Sequence, residues 1–477
     1  MEVVSGLAHG FATLASPLVL AACVLGLVTG IVAGSLPCLS PAGALALQVP
    51  VAVLMLLSFG VQSPVVFVIA FAYGTLYGRA LAAMNLSAPD KADSSSLPKD
   101  GRRILFSSLV ASIVVTAAVG VDIASFGRQI TMQLGPAEMV GLMVFLLLGG
   151  AAFGRGSAAS ALAMVVLGLL LGLIGTDIET GEARLTFGIA ALDDGIGGTS
   201  VALGLFVIAS VIDDLSRAWP SEPYTAPARP AHGFWSATIL AVLAGFLPTN
   251  GRTFATTASA ARSRPAASLF DPASQGSVTN ILRAAMLSDI RLSVSLIPVF
   301  LLLLPVDAVT PFLRNIINAQ AMMMGGDNMM ANVTTIAGLV FATLIPVHVV
   351  PLIIVMRLTA VRWRPITIDA RIVALLLVAA ACFVVWQLHD ENAPAHVCIM
   401  LAFGLVGYAM ICAGFDRSLL FFAFVIAVRL EENIRRSLLI SRGDVTAFLQ
   451  RPISAGLLLA GVLLFVAARA LRHRRLI

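Results

Sequence analysis

The chain has 477 residues, 59% of them hydrophobic and 12% charged, with a formal net charge of +5 and a mean hydropathy of +0.97. Apolar runs of about 18 residues or more recur along it, which excludes a water-soluble globular protein and reads as one polytopic membrane domain. The small, scattered positive charge excludes a nucleic-acid binder.

The first apolar run, 17–33, ends at Gly34-Ser35-Leu36-Pro37-Cys38-Leu39-Ser40-Pro41, and a second run, 42–59, follows directly. Pro37 and Pro41 lack an N–H and clash with the carbonyl four residues earlier, so no helix passes through intact. Leu36 and Ser40, which precede them, are pushed towards extended geometry. In lipid such a break is tolerated only where protein or a watery cavity covers the freed backbone groups. It reads either as a transporter's broken helix facing a solute or as a turn filled by packing.

Residues 65–84 form the next apolar segment, carrying Tyr73-Gly74-Thr75-Leu76-Tyr77-Gly78-Arg79. Four-residue spacing puts both tyrosines on one helix face and thins the backbone beside them. The polar run 87–103 is basic and a candidate cytoplasmic loop. Further spans are expected at about 104–121, 138–153, 157–174 and 200–212, with a polar, Gly-rich stretch at 176–199. A Pro-rich linker, 216–231, separates the halves, so the chain divides into 1–215, the linker, 232–428 and a terminal piece, 429–477. In the second half, an apolar run ends at Pro248-Thr249-Asn250-Gly251-Arg252, and spans are expected near 334–356, 372–387, 395–412 and 419–428. Residues 429–452 read as amphipathic and 453–468 as the last hydrophobic helix. The basic tail argues for a cytoplasmic C-terminus, whereas the arginines of 429–452 argue for the reverse, so orientation stays open.

The two interruptions echo each other. Ala33-Gly34-Ser35-Leu36-Pro37 recurs as Ala244-Gly245-Phe246-Leu247-Pro248. Matching breaks in two halves are the sequence signature of a transporter built from repeats, with the site between them. The fold expected is therefore an all-α polytopic membrane protein. It has two related, inverted halves with broken helices or re-entrant hairpins, and roughly ten to twelve membrane segments.

Several motifs resemble the large membrane subunit of the tripartite tricarboxylate transporter family. That family has Gly-x-Leu-Pro-Gly-Leu-Gly where this chain has Gly34-Ser35-Leu36-Pro37-Cys38-Leu39-Ser40. Its Tyr-Gly-x-x-Tyr-Gly-Gly corresponds to Tyr73 through Arg79, and its Asn-x-Pro-Gly to Ser87-Ala88-Pro89-Asp90. Arg184-Leu185-Thr186-Phe187-Gly188 also fits, as does Leu430-Glu431-Glu432-Asn433-Ile434-Arg435-Arg436 with its continuation to Ile453. The departures cluster where the family touches its solute. Cys38 and Ser40 replace glycines, Pro248 to Arg252 replaces a Pro-Gly-x-Gly-Gly run, and Asn280 stands in an altered Ala-Asn-Asn-Ala. Ser293-Val294-Ser295-Leu296 replaces Gly-Ile-Pro-Gly. Glycine lets backbone N–H groups approach an anion closely, so these changes alter the expected carboxylate site or close it.

By resemblance, the chain is the large subunit of a binding-protein-dependent secondary transporter importing a carboxylate-type organic anion in a bacterial inner membrane. Its expected partners are a small membrane subunit, a periplasmic solute-binding protein, the anion and lipid. Beyond a coupling sodium ion or proton, no cofactor is expected. Solute contacts are expected from Ser35, Pro37, Cys38, Ser40, Tyr77, Arg79, Pro248, Thr249, Asn250, Gly251 and Asn280, and a sodium ion near Ser40, Asn250 and Thr253. Each has a plainer reading: prolines as turns, hydroxyls as packing contacts, Arg79, Arg283 and Arg291 as side chains reaching for headgroups. Asp122 and Asp289 read as interfacial or as proton carriers. His348, deep in an apolar run, reads as a packing histidine bonded to a carbonyl or as a proton relay. The other function class is a transport-inactive member acting as membrane scaffold or sensor. No paired carboxylates, HExxH or Ser/His arrangement in the apolar segments points to an enzyme.

Overall fold

The structure is a computed structural model and describes residues 2–36, 48–59, 62–87, 134–154, 156–177, 180–216, 288–296, 338–340, 342–350, 370–388 and 392–476, with the single positions 242, 245 and 353. In chain order its elements are α1 (Glu2–Leu14), α2 (Pro17–Ser35), α3 (Gln48–Phe59), α4 (Gln62–Ser87), α5 (Pro136–Phe153) and α6 (Ala158–Gly172). A short hairpin of β1 (Gly175–Thr176) and β2 (Ala183–Arg184) follows, then α7 (Gly198–Ala202), a π-helical segment (Leu203–Ile208) and α8 (Ala209–Ser216). Helical segments 288–296 and 342–350 precede α9 (Ala370–Leu388), α10 (Ala393–Ala413), α11 (Arg417–Ile440), α12 (Ala447–Gln450) and α13 (Pro452–Leu476). Among the described residues, five helices are long and apolar enough to cross a membrane: Pro17–Ser35, Pro136–Phe153, Arg371–Leu388, Ala393–Ala413 and Pro452–Ala470.

Proline and glycine set the boundaries. Pro17, Pro136 and Pro452 each open a helix, where the missing N–H costs nothing. The expected break after the first run is present at its start: α2 stops at Ser35, and Leu36 is extended (φ −72°, ψ 116°) ahead of Pro37. Gly414 closes α10 in the left-handed region (φ 73°), with Phe415 N–H donating to the Met410 carbonyl at 2.9 Å. Asp416 then caps α11, its carboxylate accepting from the Ser418 N–H at 3.1 Å. From there one helix runs to Ile440, so the apolar span at 419–428 and the first turns of the amphipathic stretch are a single rod.

Helices pair closely through glycine. Gly26, Gly30 and Gly34 of α2 lie against Phe67, Phe71 and Thr75 of α4 in the same order, so the two helices run parallel. Gly168 and Gly172 of α6 meet Leu420 and Phe424 of α11 in the same way. With no hydrophobic drive between helices in lipid, such backbone-to-backbone approach is the main source of association. Glu138 of α5 pairs with Arg451 at the start of α13 (3.1 Å), and Gly141 lies against Ser454 farther along, again in parallel.

The apolar side chains gather into two cores. The first joins α2, α3, α4, segments 288–296 and 342–350 and α9, with Val242 packed against it. The second joins α5, α6, α10, α11 and α13. The π-helical segment belongs to both: Leu203, Val207 and Ile208 face the first core, and Leu205 faces the second. Its wider turn leaves the Leu205 carbonyl to accept from the Arg417 guanidinium at 2.7 Å.

A turn links α11 to α12, and there the Asp444 carboxylate accepts from the Thr446 N–H (2.8 Å) and hydroxyl (2.7 Å). These bonds favour the charged form and hold the carboxyl below its ordinary value of 3.8. Because the folded value is depressed, the contribution to stability is full above 3.8 and is lost as pH falls through the folded value. Protection of the Thr446 amide against hydrogen exchange, corrected for intrinsic rates, is expected to fall on that acidification. In Asp444→Asn it should not change with pH.

Candidate functional site

Of the expected solute contacts, Pro37, Cys38, Ser40, Pro248, Thr249, Asn250, Gly251 and Asn280 lie outside the described residues, as does Thr253. Their flanks are described, and they converge. Gly34, at the end of α2, presses on α4 so tightly that a Cβ there would sit 2.2 Å from the Thr75 carbonyl oxygen. Gly245, its echo, presses on segment 288–296, where a Cβ would sit 2.5 Å from Cβ of Val294. The two receiving helices touch each other. The Ser293 hydroxyl donates to the Asp289 carbonyl (3.1 Å), so the Tyr73 hydroxyl donates to Ser293 Oγ (2.7 Å). Both echoed glycines therefore reach one centre, through α4 on one side and segment 288–296 on the other.

A buried polar cluster occupies that centre. The Tyr73 ring lies 5.0 Å from the His348 ring. His348 Nδ1 is 2.5 Å from the Leu344 carbonyl, one helical turn earlier. A carbonyl only accepts, so Nδ1 carries a hydrogen. His348 Nε2 lies 3.2 Å from Asp289 Oδ2, while Asp289 Oδ1 is buried without a hydrogen-bond partner. Tyr77, partly exposed, is within electrostatic range of Asp289 and Tyr73. Arg291 is buried two residues beyond Asp289.

His348 thus bonds a carbonyl as expected, and a carboxylate besides. Asp289 is buried, 6% exposed, on a helix that meets α4 through the Tyr73–Ser293 bond and Gly245 through Val294. Ser35 turns its hydroxyl back onto the Val32 carbonyl (2.8 Å), so in this conformation it caps its own helix. Arg79 is half-buried at the same end of α4 as Tyr77.

Two buried groups carried no sequence signal. Gln48, the first residue of α3, has both amide atoms buried and unpaired, and so does the hydroxyl of Ser63 in the first turn of α4. Polar atoms buried without partners are costly and mark places where a ligand or water belongs. The stretch where the family's Gly-Ile-Pro-Gly was expected forms unbroken helix over 288–296, and Ser293 uses its hydroxyl to bind Tyr73 across the halves.

A second charged cluster lies on the other core. Asp177, Arg184, Glu431 and Arg435 alternate in sign around a closed ring that joins the β-hairpin to α11. None of the four side chains has a buried, unpartnered polar atom among the described residues, and the ring reads as structural. Glu431 and Arg435 are the expected i, i+4 pair (2.7 Å), and Glu432 pairs likewise with Arg436. Among the described residues, no group of three His, Cys, Asp or Glu side chains is placed to hold a metal ion.

Comparison with known proteins agrees with this architecture. Residues 20–421 match the model of the tripartite tricarboxylate transporter TctA family. An Agrobacterium vitis protein described as an uncharacterized 52.8 kDa protein in the TAR-I ttuC' 3'region is 25% identical over 494 aligned residues, 98% of this chain and 96% of its own. A second protein of that organism, described as an uncharacterized protein in the TAR-II ttuC' 3'region, is 38% identical over 78 residues, 16% of this chain and 32% of its own. No solved structure matches. A match spanning both echoed breaks, on a chain of apolar helices paired through glycine, settles the kinship: this multi-pass membrane protein belongs to the tripartite tricarboxylate transporter TctA family.

Proposed function

We propose that the chain is the solute-translocating subunit of a binding-protein-dependent secondary transporter that imports a carboxylate-type organic anion. In this reading it works in a bacterial inner membrane with a small membrane subunit and a periplasmic solute-binding protein, and an ion gradient drives it. The observation that carries the reading is the convergence of both echoed glycines on one core through the Tyr73–Ser293 bond. Two breaks brought together supply helix ends and free backbone groups to one anion. Gln48, which follows the first break, and Tyr77 and Arg79, which flank the Gly78 packed on Ile31 of α2, are described side chains with polar or charged groups to offer. Alternating access then moves the first core, which holds α2 and, through Val242 and Gly245, contacts of the second echoed stretch, against the second core. The π-helical segment common to both is the hinge.

The test is uptake of radiolabelled citrate, succinate and malate into proteoliposomes carrying this chain and the small subunit, with the solute-binding protein added outside. Uptake that requires the binding protein and an imposed gradient supports the reading. Uptake no higher than in empty liposomes, whichever gradient is imposed, overturns it. The unbroken helix at 288–296, where the family motif departs, favours the second reading in that case: a transport-inactive membrane scaffold or sensor.

A further inference from the structure

We infer that the His348–Asp289 pair is the coupling site of this carrier and that the ion it takes is a proton. The inference rests on the transporter reading above. Its starting point is hydrogen-bond bookkeeping inside the first core. With Nδ1–H committed to the Leu344 carbonyl, Nε2 is the ring atom free to gain or lose a proton, and it faces Asp289 Oδ2 at 3.2 Å. A bare Nε2 lone pair and an ionised carboxylate oxygen at that distance repel. The packed arrangement therefore holds one proton between them, as imidazolium with carboxylate or as imidazole with carboxylic acid.

The surroundings make that proton decisive. His348 is 1% exposed and Asp289 6%. If the proton leaves, a carboxylate remains in the core with Oδ1 unpartnered and Oδ2 facing a lone pair. Burying a charge so poorly compensated is costly, so deprotonation drives segment 342–350 away from 288–296 towards water.

Among the described residues, the other titratable or charged groups around the pair are these. Tyr73 and Tyr77 face it from α4, and Arg291 lies on the helix of Asp289. Among the described residues, Cys23 of α2 and Cys382 of α9 are the thiols in this core. Tyr73 also binds Ser293, on the helix against which Gly245 rests. Protonation and the packing of Gly245 thus share one helix, 288–296, which the Tyr73–Ser293 bond joins to α4, where Gly34 rests. A proton entering from one side of the membrane closes the pair, and its departure to the other side opens it.

Two measurements test this. The first uses the purified full chain in lipid nanodiscs at pH 7. Nitrogen-15 histidine resonances and the infrared carboxyl band are expected to show one proton on the pair, either as an imidazolium at His348 or as a protonated Asp289. In Asp289→Asn, His348 is expected to become the neutral Nδ1–H tautomer. A neutral His348 beside an ionised Asp289 in the unaltered chain overturns the proposal.

The second uses the three-component proteoliposomes with labelled citrate, succinate and malate. One pH unit of inward gradient is expected to raise accumulation about tenfold per coupled proton. His348→Gln and Asp289→Asn should lose that gain yet keep exchange of internal for external solute, which needs no net proton movement. Thr343→Val, on the same helix, should keep both. Gain retained in either pair variant, or accumulation driven only by sodium, overturns the proposal. No uptake at all removes the carrier reading and the coupling role together, while the spectroscopic result still decides the proton pair.

Discussion

Alanine at Gly30 is expected to lower the melting temperature of the purified protein and to abolish transport. Its Cβ would lie 2.3 Å from the Phe71 carbonyl oxygen and 2.9 Å from the Phe71 Cα, both backbone atoms of α4 that no rotamer change can move aside. Either α2 and α4 separate or one rotates, and Gly26–Phe67 and Gly34–Thr75 lose their fit with it. Overpacking of this kind costs on the order of 1–3 kcal/mol, and leucine at the same site costs more. Function should suffer before folding does, because α2 ends at the first break and α4 carries Tyr73 to Ser293. The control is Gly456→Ala in α13, where a Cβ meets nothing within 4 Å. There the helix gains roughly 0.5–1 kcal/mol from reduced chain entropy. Thermal unfolding in detergent, with size-exclusion profiles, separates the two. If Gly30→Ala melts with the unaltered protein, glycine-mediated contact between α2 and α4 is not what holds this core.

The spacing that makes this contact was readable. Gly26-x-x-x-Gly30-x-x-x-Gly34 has the small-residue period of close helix pairs. Pro37, just beyond it, marks where the helix ends but says nothing of which helix the glycines face. Helix boundaries followed from Pro17, Pro136, Pro452 and Gly414, because proline and glycine act on the backbone locally. The end of the apolar run at 428 did not mark an end of helix. Hydropathy changes there, but nothing between Val428 and Ile440 interrupts the hydrogen bonds, and α11 continues. Partners far apart in the chain were beyond such reasoning. Tyr73 was placed on a face with Tyr77, yet nothing local to it names Ser293 as its acceptor. Asp289 read as interfacial because it closes an apolar segment beside Arg291; only packing reveals that His348 covers it. Gln48 is a polar residue between apolar runs, and periodicity cannot tell a buried amide from a loop.

Each of the two cores draws on residues from both sides of the linker. α5 and α6 precede the linker, yet they pack on α11 and α13, which follow it. Segment 288–296, from beyond the linker, packs on α4. Each core is therefore built from both ends of the chain, and displacement of one core against the other works against the continuous backbone at few points. The π-helical segment is one of them, since its residues face both cores within six positions. A π turn already departs from regular α geometry, and mid-helix departures of this type recur at functional positions.

Removal of the Asp177 carboxylate is expected to release the β-hairpin from α11. Asp177 is buried and binds both Arg184 and Arg435, the latter at 2.9 Å. Glu431 binds the same two arginines, each at 2.7 Å. Asp177→Ala leaves two guanidinium groups facing one carboxylate, beside a hairpin that keeps its two-residue ladder and the bonds from the Thr176 N–H and hydroxyl to the Asp193 carbonyl. Breaking a fully buried pair costs about 3–5 kcal/mol. Arg184, Glu431 and Arg435 are each roughly a third exposed, so solvent screening reduces the expected loss to about 2–3 kcal/mol. The ring also restrains backbone that would otherwise relax. Leu185 and Phe187 sit at φ 54° and 53°, a region that side chains with a Cβ avoid, and Phe187 is 83% exposed. Limited proteolysis between residues 180 and 190, and hydrogen exchange at the Thr176 and Asp177 amides, should both rise sharply in Asp177→Ala. Arg435→Ala should give a smaller rise, because Arg184 still neutralises Asp177. A double-mutant cycle joining the two separates the ring from ordinary surface pairing: coupling near zero would reduce these four charges to independent surface groups, whereas a value above about 1 kcal/mol identifies them as one unit.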